Sequence, residues 1–558
     1  MKKNLFLIIT TLTAFFTMPV FAQMPKISMN DWLYNQEENV YYKTGIVYCE
    51  SPVDLNYETM GIFVPGSFFI GKPNGDGTYT VSINKKGKVD GYTYKTAPIV
   101  FPVNTPGYSA MAAPTGYVQE ASKYTSQGFI YLNAGCRGRN EGAPLGVTDL
   151  KAAVRYYRYN KNILPGSTDR FFSFGMSGGG AQSALMGATG DSTLYTPYLK
   201  AIGAVMSTSD AIAGSMDWCP ITNLDVANEA YEWNMGSTRT DLDEQMQSLS
   251  DGLTQAFAKM VNEMGLKDDY GNPLILEQSE DNRYQSGSFY DWIKSEIERS
   301  LNNFLEDTSF PYDTSAANKR DNNFRGHGKR PGTGMGLPEG IDFTQIDNIM
   351  RQGKEGNAKI EGVYDTAEDY IAALNTSIHW VDYDKSTNTA TITSISNFAN
   401  AVKPYSKNVG AFDDLNCSQG ENTLFGSGDG KGQHWDSTMA TLLKDTSYGP
   451  SYAEGCSSVD SLGNDITYRL NAYTPLYYLL KSSEGYKTSK VAKYWRIRSG
   501  IFQGDTSVTT EATLAQALKN YGITNVDFEM VWGQKHTEAE RTGNSKDNFI
   551  EWVKVCTK

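Results

Sequence analysis

Histidine is scarce in this sequence: there are four in 558 residues, His327, His379, His434 and His536. A mechanism that needs an imidazole base has few residues to draw on. Cysteine is sparse too. The six thiols, Cys49, Cys136, Cys219, Cys417, Cys456 and Cys556, form no C-x-x-C pair, so zinc spacing is absent and neither metal nor cofactor is expected. An even count permits disulfides in an exported chain without fixing their connectivity. No basic run stands out and the formal charge is -13, which makes nucleic acid and anionic membrane surfaces poor partners. Past the N-terminus no apolar stretch approaches the roughly 20 residues that cross a bilayer, so no membrane span is expected. Internal repeats of the solenoid or propeller kind are also missing.

What is present begins with Met1-Lys2-Lys3, an apolar stretch from Leu5 to Phe16, and Val20-Phe21-Ala22 before Gln23. That order of charge, apolar run and small residue predicts a signal peptide over 1–22 and a secreted or periplasmic protein. No cysteine stands at the cleavage point to take a lipid anchor. Short β-rich runs follow, and then strands alternate with helices: apolar strands over 97–103, 129–132, 170–174 and 201–206, and helices over 149–159 and after Ser177. Alternation of this kind predicts a mainly parallel α/β sheet. From about 215 to 490 the pattern is different, with helices over 242–264 and 290–305 and Gly-rich loops. Strand and helix signals return at 494–498, 510–520, 526–532 and 548–555. The expected organisation is a split core, 23–214 and 491–558, interrupted by an insertion over 215–490.

Gly175-Met176-Ser177-Gly178-Gly179 fits G-x-S-x-G, the sharp strand-to-helix turn that exposes a nucleophilic serine above an α/β-hydrolase sheet. The motif alone is weak in a chain with 53 glycines, but here it follows an apolar strand and opens a helix. A serine hydroxyl needs a base. His327 lies in a polar loop, His379 reads as a buried structural residue and His434 is ambiguous. His536 comes four residues after Trp532 at the end of the last predicted strand, where this fold carries its base. The acid is expected between them, and Asp505 lies shortly after the strand near Arg498; Asp527 falls within a strand. Backbone donors for an oxyanion are expected at Gly178 and at Gly107 in the loop after an early core strand. Arg137 and Arg139, at another strand end, either bind a carboxylate or hold their own loop.

The runs 177–181 (SGGGA), 219–222 (CPIT), 410–413 (GAFD), 421–426 (ENTLFG) and 531–536 (VWGQKH) resemble the bacterial tannases and related esterases. The resemblance covers the core and parts of the insertion, but not most of 238–382. It implies that the insertion is a lid over the serine, that the substrate is a small galloyl or other aromatic ester, and that Lys407 and Glu421 contact its hydroxyls. The family pattern carries an aspartate at the position of Gln503, and the substrate-contacting aspartate falls on Asp505. The expectation is a secreted serine carboxylic ester hydrolase working through an acyl-enzyme. A serine peptidase of the same fold and a catalytically silent binding protein are the alternatives.

Overall fold

The computed structural model describes residues 24–314 and 356–558; the expected signal peptide and His327 lie outside them. Among the described residues, nine strands form the main sheet: β1 (Leu33–Asn35), β2 (Val40–Val47), β3 (Thr59–Pro65), β4 (Ile99–Val103), β5 (Ile130–Ala134), β6 (Phe171–Met176), β7 (Gly214–Trp218), β8 (Tyr494–Gly500) and β9 (Asn525–Val531). Their order across the sheet is β1-β2-β3-β5-β4-β6-β7-β8-β9. The first three pair antiparallel, β3 pairs antiparallel with β5, and from β5 to β9 every pairing is parallel. This is the α/β-hydrolase arrangement. Strands β4 (IVFPV) and β6 (FFSFGM) read as apolar or small-residue runs, as expected where helices cover both faces of a parallel sheet.

One strand is not where the apolar pattern puts it. Residues 201–206 continue the short helix Thr196–Ala201 into a turn, with Tyr198, Leu199 and Ile202 buried on its inner side. Gly203, at φ +65°, ends the helix: its N–H donates to Lys200 O and that of Ala204 to Leu199 O, which is a Schellman cap. The core strand is β7, whose fully buried GSMDW sequence includes Asp217. The chain therefore leaves the sheet after Trp218 and rejoins it at Tyr494.

Between those points lie long amphipathic helices, Glu244–Met264 and Ser288–Asp307, at the positions that periodicity predicts. They pack through Phe257, Phe289 and Ile297 into the same continuous apolar core as the sheet. The insertion is thus fixed to the core by buried area, each fully buried large side chain contributing about 1.5–3 kcal/mol.

Candidate active site

Strand β6 ends at Met176, and Ser177 turns the chain at φ +61°, ψ −125° into the helix Gly178–Ala188. A non-glycine residue held there costs about 1–3 kcal/mol, a strain the neighbours must offset. Ser177 N–H donates to Trp218 O at 2.9 Å, and its carbonyl accepts from Ile221 N at 3.3 Å. The glycines serve close approach: a Cβ on Gly179 would stand 2.0 Å from Val103 O, and one on Gly178 2.5 Å from Tyr108 N.

His536 sits on the loop after β9, and its Nε2 lies 2.7 Å from Ser177 Oγ. The other ring nitrogen, Nδ1, is 2.6 Å from Gln503 Oε1. The expected hydrogen bond from His536 to Asp505 is not made: the nearest Asp505 oxygen is 3.7 Å from Nδ1. The course of the loop after β8 explains this. Lys403 Nζ donates to Gln503 O, and Gly504 O accepts from Ser406 Oγ at 2.6 Å and Tyr231 Oη at 3.0 Å. These anchors, all from the insertion, hold the Gln503 side chain under the imidazole and leave Asp505 farther off, its side chain 20% exposed. Burial lowers the pKa of His536 below its ordinary value; the Asp505 charge opposes this, while Lys407 and Lys403 add to it. The imidazole is therefore neutral near pH 7, as a general base requires.

Gly178 is the first residue of its helix, so its N–H has no intrahelical acceptor. Facing it is the turn Pro106–Tyr108, with Gly107 at φ +55°. The Cβ direction of Gly178 points to within 3.2 Å of Gly107 N. Tyr108 N–H is engaged by Thr105 O at 2.9 Å, while Gly107 O accepts from Arg139 Nη1 at 2.9 Å. Gly178 and Gly107 are thus brought together beside the serine. Arg137 makes a buried two-pronged contact with Asp149, through Nε at 2.9 Å and Nη2 at 2.7 Å. Both arginines bind within the protein and hold loops.

Two parts of the insertion reach this site. Lys407 follows the segment that clamps Gln503 and Gly504, its Nζ 3.9 Å above the Phe412 ring. Glu421 lies buried in the short helix Gly420–Leu424; burial pushes the Tyr108 phenol upward and the nearby Glu421 charge adds to this. The Cβ direction of Gly420 meets Arg139 Nη1 at 2.6 Å and Gly107 O at 3.7 Å. The remaining described histidines are elsewhere. His434 is buried, bonded to Asp413 at 2.7 Å and stacked on Tyr452. His379, contrary to expectation, is exposed and pairs with Asp382 at 2.7 Å. All six cysteines are free thiols. Among the described residues no group of metal-ligating side chains comes together, and no helix is long and apolar enough to cross a membrane.

The resemblance marks position 503 as the family's aspartate position, while the acid role is expected of Asp505; sequence reasoning passes over Lys403 and Glu511 behind Gln503. The Gln503 amide nitrogen donates to Ser499 Oγ at 2.8 Å and Glu511 Oε1 at 2.9 Å. Glu511 could have drawn notice as the one acid in the otherwise uncharged stretch 506–518.

Comparison with known proteins agrees with this architecture. The family model described as BD-FAE matches residues 94–282, which include the serine elbow. Fusobacterium nucleatum tannase superposes with a TM-score of 0.67 at 25% identity, over 93% of this chain and 95% of that one. Tannin acyl hydrolase from Lactobacillus plantarum gives 0.65 at 24% identity, over 93% and 94%. A tannin acyl hydrolase structure in complex with ethyl gallate gives the same values. No curated protein sequence matches the chain at a significant level.

Proposed function

The chain is a tannase-like α/β-hydrolase in fold, and on that basis we propose that it is a serine carboxylic ester hydrolase with Ser177 as nucleophile and His536 as base. The observation that carries the reading is the 2.7 Å contact between His536 Nε2 and Ser177 Oγ at a strained elbow. Nε2 takes the hydroxyl proton as Oγ attacks the ester carbonyl. The oxyanion that forms is met by the N–H groups of Gly178 and Gly107. His536 then passes its proton to the departing alcohol, and water releases the acyl group by the same steps in reverse order.

In this reading the work of a triad acid is divided. Gln503 accepts Nδ1–H and holds the ring in the tautomer that leaves Nε2 free, but being neutral it adds no charge. Asp505, 3.7 Å from Nδ1, supplies the negative charge that steadies the imidazolium. The insertion acts as a lid: Lys403, Ser406 and Tyr231 hold the loop bearing Gln503, and Gly420 lies against Arg139 and Gly107. Lys407 and Glu421 then face an acyl group on the serine. Lys407 lies near enough to lower the His536 pKa and Glu421 lies near Tyr108 of the Gly107 turn; a cation and a carboxylate so placed suit phenolic hydroxyls, so galloyl or hydroxycinnamoyl esters are the proposed substrates. The ethyl gallate complex of the tannin acyl hydrolase is in keeping with this. Export by an N-terminal signal peptide over 1–22 belongs to the same proposal.

A panel of gallate, ferulate and aliphatic esters tests the reaction, with Ser177→Ala and His536→Ala as controls. Each control is expected to lose at least roughly a thousandfold in turnover while its circular dichroism is unchanged. Absence of hydrolysis across the panel, or a control within tenfold of the parent, overturns the reading. A matched amide set decides against a peptidase, for which amides would turn over comparably.

A further inference from the structure

A glutamine beside a catalytic imidazole raises a question that a carboxylate would not. A carboxylate offers acceptors on both oxygens, but an amide offers an acceptor on one side and a donor on the other. With its oxygen toward His536, Gln503 requires the proton on Nδ1 and leaves the Nε2 lone pair facing Ser177. Turned over, it would present N–H to Nδ1 and hold the proton on Nε2, and the imidazole could not accept the serine proton. Whatever fixes the amide fixes whether His536 is a base.

Two side chains touch the amide nitrogen. Ser499 Oγ, at 2.8 Å, both donates and accepts and so tolerates either orientation. Glu511 Oε1, at 2.9 Å, is the acceptor that distinguishes them. Glu511 lies in the first turn of the helix Val508–Tyr521, 1% exposed, where the helix N-terminus favours a negative charge. Its Oε1 also accepts from Thr506 Oγ1 at 3.1 Å, whereas Oε2 has no hydrogen-bond partner. A buried carboxylate oxygen left bare is costly to keep, which a merely packing role does not require.

We propose that Glu511 is a positioning residue for the esterase reaction: its carboxylate captures the amide nitrogen of Gln503 and so turns the amide oxygen to Nδ1 of His536. This selects the tautomer in which Nε2 is the base, and it rests on the serine-hydrolase reading above. Lys403, donating to the Gln503 main-chain oxygen, is the cation that favours an ionised Glu511; burial opposes this, pushing Glu511 up and Lys403 down. Cys219, Asp505 and, beyond the amide, His536 are the other titratable groups that feel this pair.

The test exchanges the two groups. Glu511→Gln keeps the volume but lets either amide turn. The double variant Gln503→Glu/Glu511→Gln restores a fixed order, in which the carboxylate introduced at position 503 accepts from both Nδ1 and the new amide. Nitrogen-15 NMR of histidine-labelled protein at about pH 8 reads the tautomer directly, with four histidines to resolve and His536→Gln to assign the signal. The parent is expected to show the Nδ1–H form and Glu511→Gln a mixture. In Glu511→Gln, kcat is expected to fall by about tenfold or more on every ester while KM moves less than about twofold, and the double variant to recover most of that loss. An unchanged tautomer and kcat in Glu511→Gln, or a double variant no better than Glu511→Gln, overturns the proposal. Should Glu511→Gln not fold, an inactive but folded double variant does the same. The NMR arm needs no substrate. A parent that cleaves no ester while its tautomer answers to Glu511 sinks the esterase reading alone, and active esterase with an indifferent tautomer sinks this inference alone.

Discussion

The side-chain oxygen of Gln503 lies 2.6 Å from Nδ1 of His536, in the place a triad carboxylate would occupy. An amide there can orient the ring as a carboxylate does, but it cannot offset the charge of the imidazolium. Gln503→Ala is therefore expected to lower kcat by about a hundredfold on all esters, with little change in KM, because orientation is lost before any substrate contact is. Steady-state kinetics on gallate and butyrate esters check it; a loss under about threefold would show that Gln503 does not orient the base.

Asp505→Asn separates charge from contact. At 3.7 Å, with the side chain partly exposed, the attraction between Asp505 and the imidazolium is screened but present. Its removal should cost about tenfold to a hundredfold in kcat on gallate and butyrate esters alike. A loss confined to gallate esters would make Asp505 a substrate contact and leave the imidazolium without a nearby counter-charge.

The same charges set a pH response with a definite sign. Burial lowers His536, Asp505 opposes this, and Lys407 adds to it. Activity on the acid side is lost as the imidazole protonates. Asp505→Asn should shift the His536 titration to lower pH and Lys407→Gln should shift it to higher pH, as read from its NMR signal. Shifts in the reverse order would mean that Asp505 and Lys407 do not govern the electrostatics of the site.

The elbow is legible in the sequence because steric demand writes itself into adjacent residues: 175–179 must be small around Ser177. His536 is legible because only four histidines exist and one follows the last strand. The Gln503 contact is legible only through the family pattern, which puts an aspartate at that position; local chemistry favours Asp505 as the acid, because the loop is positioned by Lys403, Ser406 and Tyr231, far off in sequence. Strand β7 escapes a sequence reading for a related reason. GSMDW carries a serine and an aspartate whose burial only tertiary structure explains, while the apolar run at 201–206 reads equally as strand or helix end.

Asp217 in that strand gives a stability prediction. One carboxylate oxygen accepts from Ser215 Oγ at 2.6 Å, the other has no partner, and burial raises the group to about 8 from 3.8. The folded state thus holds a proton that the unfolded state releases. Its contribution to stability is full below the unfolded value and is lost as pH rises through the folded one. Between about pH 5 and 8 the Tm of the parent should fall, and Asp217→Asn should flatten that slope. Asp225 and Asp436, raised to about 7 and about 6, act in the same direction, so some slope should survive. A variant with the parental slope would show that Asp217 is ionised throughout.

Lys407 and Glu421 bear on substrate choice. In the proposed reading neither touches the reacting carbonyl; both face the acyl group from the lid. Removing a polar side chain that pairs with a substrate hydroxyl weakens the substrates that carry it and leaves those without it nearly unaffected. Glu421→Gln and Lys407→Gln are each expected to lower kcat/KM on gallate esters by about tenfold or more relative to butyrate esters. Lys407→Gln should also carry a small effect common to both substrates through its influence on His536. For Glu421 no such common effect is expected, since its charge acts on the Tyr108 phenol rather than on the imidazole. Equal losses on gallate and butyrate in both variants would remove the phenolic acyl group from the proposal. The ester hydrolase would stand, with a substrate whose acyl part makes no polar contact with the lid.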